Sequence, residues 1–262
     1  MSYQILFISL GCDKNLVDSE HMLSRLHRDG FSLTDREEEA DIIIVNTCAF
    51  IDSAKEESIE TILEMAAYKK EGRLKALIAT GCLSQRYADQ IRDQIPEVDG
   101  IVGTNSYDDI VPVLRAVLEG KPQTRLDSLD GLPDDEEGGR LLTTAGHYAY
   151  LKIAEGCDKG CSYCIIPQLR GSYRSVPMVR LVKEARDLVA GGVRELILVA
   201  QETTRYGIDL YGKKMLPDLL DKLNAIEGLQ WIRLLYAYPE EIDRGLIEAM
   251  VRNRKVLHYI DM

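Results

Sequence analysis

Short continuous apolar runs alternate with amphipathic segments over residues 1–120. "YQILFISL" ends at Leu10, and "NLVDSEHMLSRLHRDG" follows with helical spacing. Asn15 is the predicted N-cap, Asp18 sits favourably in the first turn, and Gly30 is the predicted stop. "DIIIVNT" reads as a buried strand, and the segment from about Ser53 to Lys70 as a helix whose Lys55, Glu56, Glu57 and Glu60 form a solvated face. "LKALIAT" predicts a third strand and "SQRYADQIRDQI" a third helix, with "VDGIVG" and "YDDIVPVLRAVLEG" forming a shorter fourth unit. Unbroken apolar strands separated by helices indicate a parallel sheet covered on both faces, here a Rossmann-like N-terminal domain.

From Lys121 to Gly146 the periodicity dissolves. "DSLDGLPDDEEGGR" clusters Asp, Glu, Gly and Pro and reads as a linker or surface loop over 121–146, its charge run solvated. Alternation resumes over 147–262. "HYAYLKIA" predicts a strand ending just before Cys157. "RELILVA", "WIRLLYA" and "VLHYIDM" predict three more, with helices over "VPMVRLVKEARDLVAGG", "LPDLLDKLNAIEG" and "EEIDRGLIEAMVRN" between them. Four strands of βα type cannot close an eight-stranded barrel, so an open partial barrel or an open sheet is expected. The chain ends inside an apolar strand, which predicts a polypeptide incomplete at its C-terminus.

With 262 residues, 45% apolar and 29% charged, the composition is that of a soluble globular protein of one large domain or two ordinary ones. No run approaches the roughly 20 apolar residues of a membrane helix, and "MSYQILFISLGC" lacks the basic start of a signal peptide. The cytoplasm, away from any membrane, is the expected compartment. A net charge of −11 disfavours a broad nucleic-acid grip and suits a basic protein partner better.

The chemistry lies in six cysteines: Cys12, Cys48, Cys82, Cys157, Cys161 and Cys164. Without a secretion signal they read as metal ligands, reactive thiols or buried structural residues rather than a disulfide framework. Cys12, Cys48 and Cys82 each follow an apolar strand, in "SLGC", "VNTC" and "ATGC". Ligands bind at the carboxyl edge of such a sheet, so these three are expected to converge. Gly11 and Gly81 permit the tight turns that this requires.

The other three are local, in "CDKGCSYC", a C-x3-C-x2-C loop at a strand's carboxyl end. Structural zinc takes paired C-x2-C motifs and four ligands, whereas no second pair exists and none of His21, His27, His147 or His258 sits at ligand spacing. Three thiolates on a four-iron cube leave one iron open for a substrate or cofactor. Gln201 and Glu202, just after "ELILVA", lie where they could bind a cofactor's amino group. Arg170 and Arg174 could meet a carboxylate. "RNRK" near the end reads as a solvated face.

The C-x3-C-x2-C loop after a first barrel strand, with Tyr163 before its last cysteine, resembles the radical S-adenosylmethionine enzymes. "GCDKNLVDSE", "VNTCAFIDSAKEES", "ATGCLSQRY" and "YLKIAEGCDKGCSYCIIPQLRGSYRS" together resemble the methylthiotransferases, from Cys12 to the end of the chain. "CDKNLVDSE", "FIDSAKEES" and "VAQETTRYG" are similar to the RimO-type branch. That branch modifies an aspartate of the twelfth small-subunit ribosomal protein; the other branch modifies an adenosine of transfer RNA.

The resemblance implies two 4Fe–4S clusters, one on Cys12, Cys48 and Cys82 and one on Cys157, Cys161 and Cys164. It implies S-adenosylmethionine as cofactor, with Tyr163, Gln201 and Glu202 as its contacts. It further implies a radical that takes hydrogen from the aspartate β-carbon before a methylthio group is transferred there. The implied partners are the small-subunit ribosomal protein or the small ribosomal subunit, and an electron donor such as flavodoxin or ferredoxin. Family members continue past the last strand here, finish a partial barrel and add a small β domain. Two readings of other classes compete: an iron–sulfur electron-transfer protein and a zinc-stabilised binding module.

Overall fold

The computed structural model describes residues 3–71, 73–133 and 139–262. The chain divides into two compact units, one of Met1–Leu141 with Gln168–Arg170 and one of Leu142–Pro167 with Gly171–Met262.

In the first unit, β1 (Gln4–Ser9) leads into α1 (Asp13–Arg28), then β2 (Ser32–Leu33), β3 (Ile42–Thr47) and α2 (Asp52–Glu71). After these come β4 (Ala76–Gly81), α3 (Cys82–Gln94), β5 (Gly100–Val102), α4 (Ile110–Leu118) and β6 (Gln123–Arg125). The strands form one sheet in the order β2-β1-β3-β4-β5-β6, parallel throughout. Every residue of β3 and β4 is buried, which is why their sequences are unbroken apolar runs. Ile5, Leu26, Ile42, Ile44, Ile78 and Leu114 anchor the core on one face. The chain steps from β1 to β2 on one side and on to β3 at the other, so the topological switch point lies between β1 and β3.

Two expectations for this unit are corrected. Asn15 is not the N-cap: α1 begins at Asp13, with Cys12 extended at the cap position. Gly11, at φ +88°, turns the chain immediately after β1, so the helix starts earlier than expected and Asn15 falls inside its first turn, fully buried. Gly30 does stop the helix, at φ +91° just beyond Asp29.

The stretch 121–146 is not linker throughout. Gln123–Arg125 adds β6 to the sheet, the Gln123 N–H donating to Asp99 and the Gly103 N–H to Arg125. Like the two-residue β2, this edge strand is short and half-exposed, so it carries no apolar alternation to read. Farther along, Arg140 is buried with its guanidinium on Glu20 at 2.5 Å, and the Leu141 N–H donates to the Glu20 carbonyl. The acidic run Asp134–Glu137 lies outside the described residues.

In the second unit, β7 (Tyr148–Lys152), β8 (Ala154–Glu155), α5 (Ile166–Arg170), β9 (Arg174–Ser175), α6 (Met178–Ala190) and β10 (Glu195–Val199) come first. Then follow α7 (Ile208–Tyr211), α8 (Leu216–Asn224), β11 (Trp231–Leu234), α9 (Arg244–Arg252) and β12 (Val256–Ile260). Four strands form an open parallel sheet in the order β12-β11-β10-β7. Helices α6, α8 and α9 bury Leu181, Leu188, Leu219, Leu223, Leu246 and Met250 against it. The predicted strand before Cys157 is broken: β7 stops at Lys152, and β8 pairs antiparallel with β9 instead. Within "RNRK", Arg252 and Arg254 are exposed as a solvated face requires, whereas Asn253 is buried and donates to Asp221 and to the Ala249 carbonyl, packing the end of α9. Among the described residues no helix is long and apolar enough to cross a membrane.

Candidate iron–sulfur sites

Cys12 lies just after β1, Cys48 just after β3, and Cys82 opens α3 directly after β4. The first two flank the switch point, the crevice where open α/β sheets bind ligands. The turns are steric as well as conformational. A Cβ on Gly11 would come within 2.8 Å of the Cys48 Cβ and 3.1 Å of its Sγ. A Cβ on Gly81, at φ +89°, would strike Asn46 and the Thr47 backbone. Cys12 is exposed while Cys48 and Cys82 are buried, and all three are free thiols. Burial pushes the Cys82 thiol up to about 11, opposed by the Arg170 guanidinium and reinforced by Cys12 and Cys48. Burial also pushes Cys48 up, and Cys12 adds to that.

In the second unit Gly156, at φ +79°, turns the chain out of β8 into the C-x3-C-x2-C loop. The loop is tied down at several points. The Cys157 N–H donates to the Gly171 carbonyl at 3.1 Å, the Cys164 N–H to the Cys161 carbonyl at 3.0 Å, and the Tyr173 N–H to Asp158 at 2.9 Å. Lys159 pairs with Glu241 at 2.7 Å and stands 4.2 Å above the Tyr238 ring, whose hydroxyl lies 3.9 Å from the Cys161 sulfur. Lys159 and Lys214 together hold the Glu241 carboxyl down at about 2, so this anchor stays ionised at neutral pH. Burial pushes the Cys157 thiol up.

Gly156 makes this arrangement testable. A Cβ there would meet the Ser172 carbonyl oxygen at 2.0 Å and that of Gly171 at 2.6 Å, both backbone atoms. Gly156→Ala is expected to displace the loop, adding a strained left-handed residue worth about 1–3 kcal/mol to the clash. Iron per chain after anaerobic reconstitution should fall by about half, as four-iron sites are lost one at a time. Unchanged iron would show that the loop's path is not set by this contact.

Gln201 and Glu202 follow β10, as their sequence position implied. Gln201 donates to Glu155 at 2.5 Å, and Glu155 in turn pairs with Lys152 at 2.8 Å. Glu202 is 1% exposed and accepts from Thr204, with Lys159 at 3.8 Å; burial pushes its carboxyl up. Among the described residues, Gln201 Oε1 and Glu202 Oε2 have no hydrogen-bond partner although both are buried. Two buried acceptor oxygens without a hydrogen-bond donor, that of Glu202 standing 3.8 Å from the Lys159 ammonium, fit a ligand that brings an ammonium group. Tyr163, by contrast, is 87% exposed. Arg174 donates to the Ser172 carbonyl, whereas Arg170 does meet a carboxylate, that of Asp18 at 2.7 Å.

Neither thiol triplet draws its sulfurs within 4.8 Å of one another; among the described residues Asp108, Asp109 and Asp127 are the one group of three that does. Arg125 already bridges Asp109 and Asp127, which accounts for that cluster without an ion.

Residues 4–103 match the uncharacterized protein family UPF0004, and residues 151–261 match the Radical SAM superfamily. The ribosomal protein uS12 methylthiotransferase RimO of Lachnoclostridium phytofermentans is 61% identical over 259 residues, which are 99% of this chain and 59% of that protein. The protein of the same description from Desulforamulus reducens is 53% identical over 256 residues, 97% of this chain and 57% of that one. The chain belongs to the RimO-type methylthiotransferase family. It spans 59% and 57% of the length of these two RimO relatives.

Solved structures agree at the level of fold. The radical S-adenosylmethionine methyltransferase TsrM of Kitasatospora setae, with cobalamin and a 4Fe–4S cluster bound, superposes at TM-score 0.60 and 14% identity, over 98% of this chain and 60% of that one. The cobalamin-dependent S-adenosylmethionine radical enzyme OxsB superposes at TM-score 0.56 and 12% identity, over 95% and 41%. Radical SAM membership of the second half of this RimO-type chain implies a 4Fe–4S cluster and S-adenosylmethionine. The thiol loop and the two buried acceptor oxygens fit that pair of groups. Lys159, Tyr238 and Glu241 were not legible in the sequence as parts of this site, because Tyr238 and Glu241 lie two βα units away along the chain. Asn15 was misread as a cap for the same reason: its partners are carbonyls of other loops.

Proposed function

We propose that the chain carries the iron–sulfur and cofactor-binding core of a methylthiotransferase acting on ribosomal protein uS12, with an aspartate β-carbon as the acceptor. The observation that carries the reading is the pair of three-thiol sites at strand carboxyl ends, one in each unit, in a chain of this family. On this reading Cys157, Cys161 and Cys164 hold the cluster that binds S-adenosylmethionine, and Cys12, Cys48 and Cys82 hold a second cluster that carries the sulfur. With one electron from a flavodoxin- or ferredoxin-type donor the bound cofactor supplies a hydrogen-abstracting radical, and a second cofactor molecule supplies the methyl group. An unactivated C–H bond calls for such chemistry, since no side-chain base could remove that proton.

The protein's own groups bind and orient. Gln201 Oε1 and Glu202 Oε2 would receive the cofactor's ammonium, Gln201 being held in place by Glu155 and Lys152. Lys159, anchored to Glu241 and Tyr238, fixes the middle of the thiol loop. The acidic net charge of −11 complements a basic ribosomal protein.

The test incubates the reconstituted chain anaerobically with S-adenosylmethionine, a reductant and either uS12 or transfer RNA. The expected result is the methylthio mass on an aspartate-containing uS12 peptide. The same mass on a transfer-RNA adenosine would replace the substrate. Reversible reduction without cofactor cleavage would leave an electron-transfer protein.

A further inference from the structure

Three thiols on three separate strand-end loops must reach one place, and loops are the least constrained part of an open sheet. One side chain touches all three. Asn15 is fully buried in the first turn of α1. Its Nδ2 donates to the Leu10 carbonyl at 3.1 Å and to the Thr47 carbonyl at 2.8 Å. Leu10 leads into Gly11 and Cys12, and Thr47 immediately precedes Cys48. The remaining atom, Oδ1, faces the Cys82 sulfur at 3.8 Å and accepts from Arg170.

The amide cannot turn over. Two carbonyl acceptors require the nitrogen on one side, and the Arg170 guanidinium requires the oxygen on the other. Arg170 is itself held, 2% exposed and on Asp18 at 2.7 Å. The backbone of Asn15 is fixed as well: Asn46 donates to its carbonyl at 2.9 Å and to Ser19 at 2.8 Å.

We propose that Asn15, locked in orientation by Arg170, is the positioning residue that registers the three thiol loops of the first unit, so that the site is preorganised for an iron–sulfur cluster before metal arrives. The inference rests on the two-cluster reading for its ligand but not for its geometry. Groups that orient metal ligands are worth about 10- to 100-fold in metal affinity. Asn15→Asp keeps the shape and removes both N–H donors, placing an acceptor against two carbonyls.

The experiment uses the full chain carrying Cys157→Ala, Cys161→Ala and Cys164→Ala, so that only the first triplet can load. Retention of iron against a chelator is compared for Asn15, Asn15→Asp and Asn46→Ser. The last removes bonds from the same buried network, those to the Asn15 carbonyl and to Ser19, while leaving the Asn15 side-chain amide and its contacts to Leu10, Thr47, Cys82 and Arg170 in place. Asn15→Asp should lose iron about tenfold faster or more, while Asn46→Ser, matched for thermal stability, should not. Equal loss in both would overturn the proposal in favour of general stability.

A second readout needs no iron. Phenylarsine oxide closes a ring across two adjacent thiols with release of water, and Asn15→Asp should slow this closure on the apo chain. A parent chain that binds no iron yet closes the ring quickly, and slowly only with Asn15→Asp, would sink the cluster reading and keep the positioning role. Unchanged closure in Asn15→Asp would sink the positioning role.

Discussion

Replacing Cys161 with alanine is expected to abolish cleavage of S-adenosylmethionine and to lower iron from about eight to about four per chain, the loss of one four-iron site. The loop has no fourth thiol. Its three thiols stand between Gly156 and Ile166, and the side chains packed around it are Lys159, Tyr238, Glu241 and Asp158. Cys82→Ala should also halve the iron, yet spare cofactor cleavage and stop methylthio transfer. That contrast separates the two triplets by role. It is read from iron, acid-labile sulfide and 5′-deoxyadenosine released per chain. If Cys161→Ala kept its iron, the loop would not be a ligand set; zinc in place of iron would return all six cysteines to a structural role.

Arg140→Ala is expected to destabilise the first unit by about 3–5 kcal/mol, the cost of breaking a buried ion pair by removing one member. Glu20 is wholly buried on α1, and the Arg140 side chain above it is 2% exposed, at 2.5 Å. Deleting the guanidinium removes a close cation from a carboxylate that is itself wholly buried. The paired change Arg140→Met with Glu20→Leu should recover most of the loss, because apolar groups of similar volume replace buried ion pairs at little cost. Denaturant midpoints of the apo chain measure both. A loss below about 1 kcal/mol, the level of an exposed pair, would mean that water reaches Glu20 once Arg140 is gone.

How much of this was legible beforehand differs by element. The strands β3 and β4 announced themselves, because a strand buried on both faces must be apolar throughout. The amphipathic helices α6, α8 and α9 did so for the equivalent reason at helical period. Edge strands β2 and β6 did not, since half-exposed residues at a sheet margin need no pattern. Arg140 was hidden inside a polar stretch because its burial depends on Glu20, far away along the chain. Asn15 fits both a cap and an interior amide by residue type; only the positions of Leu10, Thr47 and Arg170 distinguish them.

The sequence by itself determined the two α/β units, the phase that puts each thiol just past a strand, and the C-x3-C-x2-C loop. Each is a local property: periodicity, glycine placement and spacing along a few residues. Only the tertiary structure decided which strands flank the switch point and which buried oxygens of Gln201 and Glu202 are left without a hydrogen-bond donor. It alone brought Lys159 to Glu241, Arg140 to Glu20 and Arg170 to Asn15. Buried polar groups must find partners wherever the fold brings them, and that choice is made between segments distant in the chain.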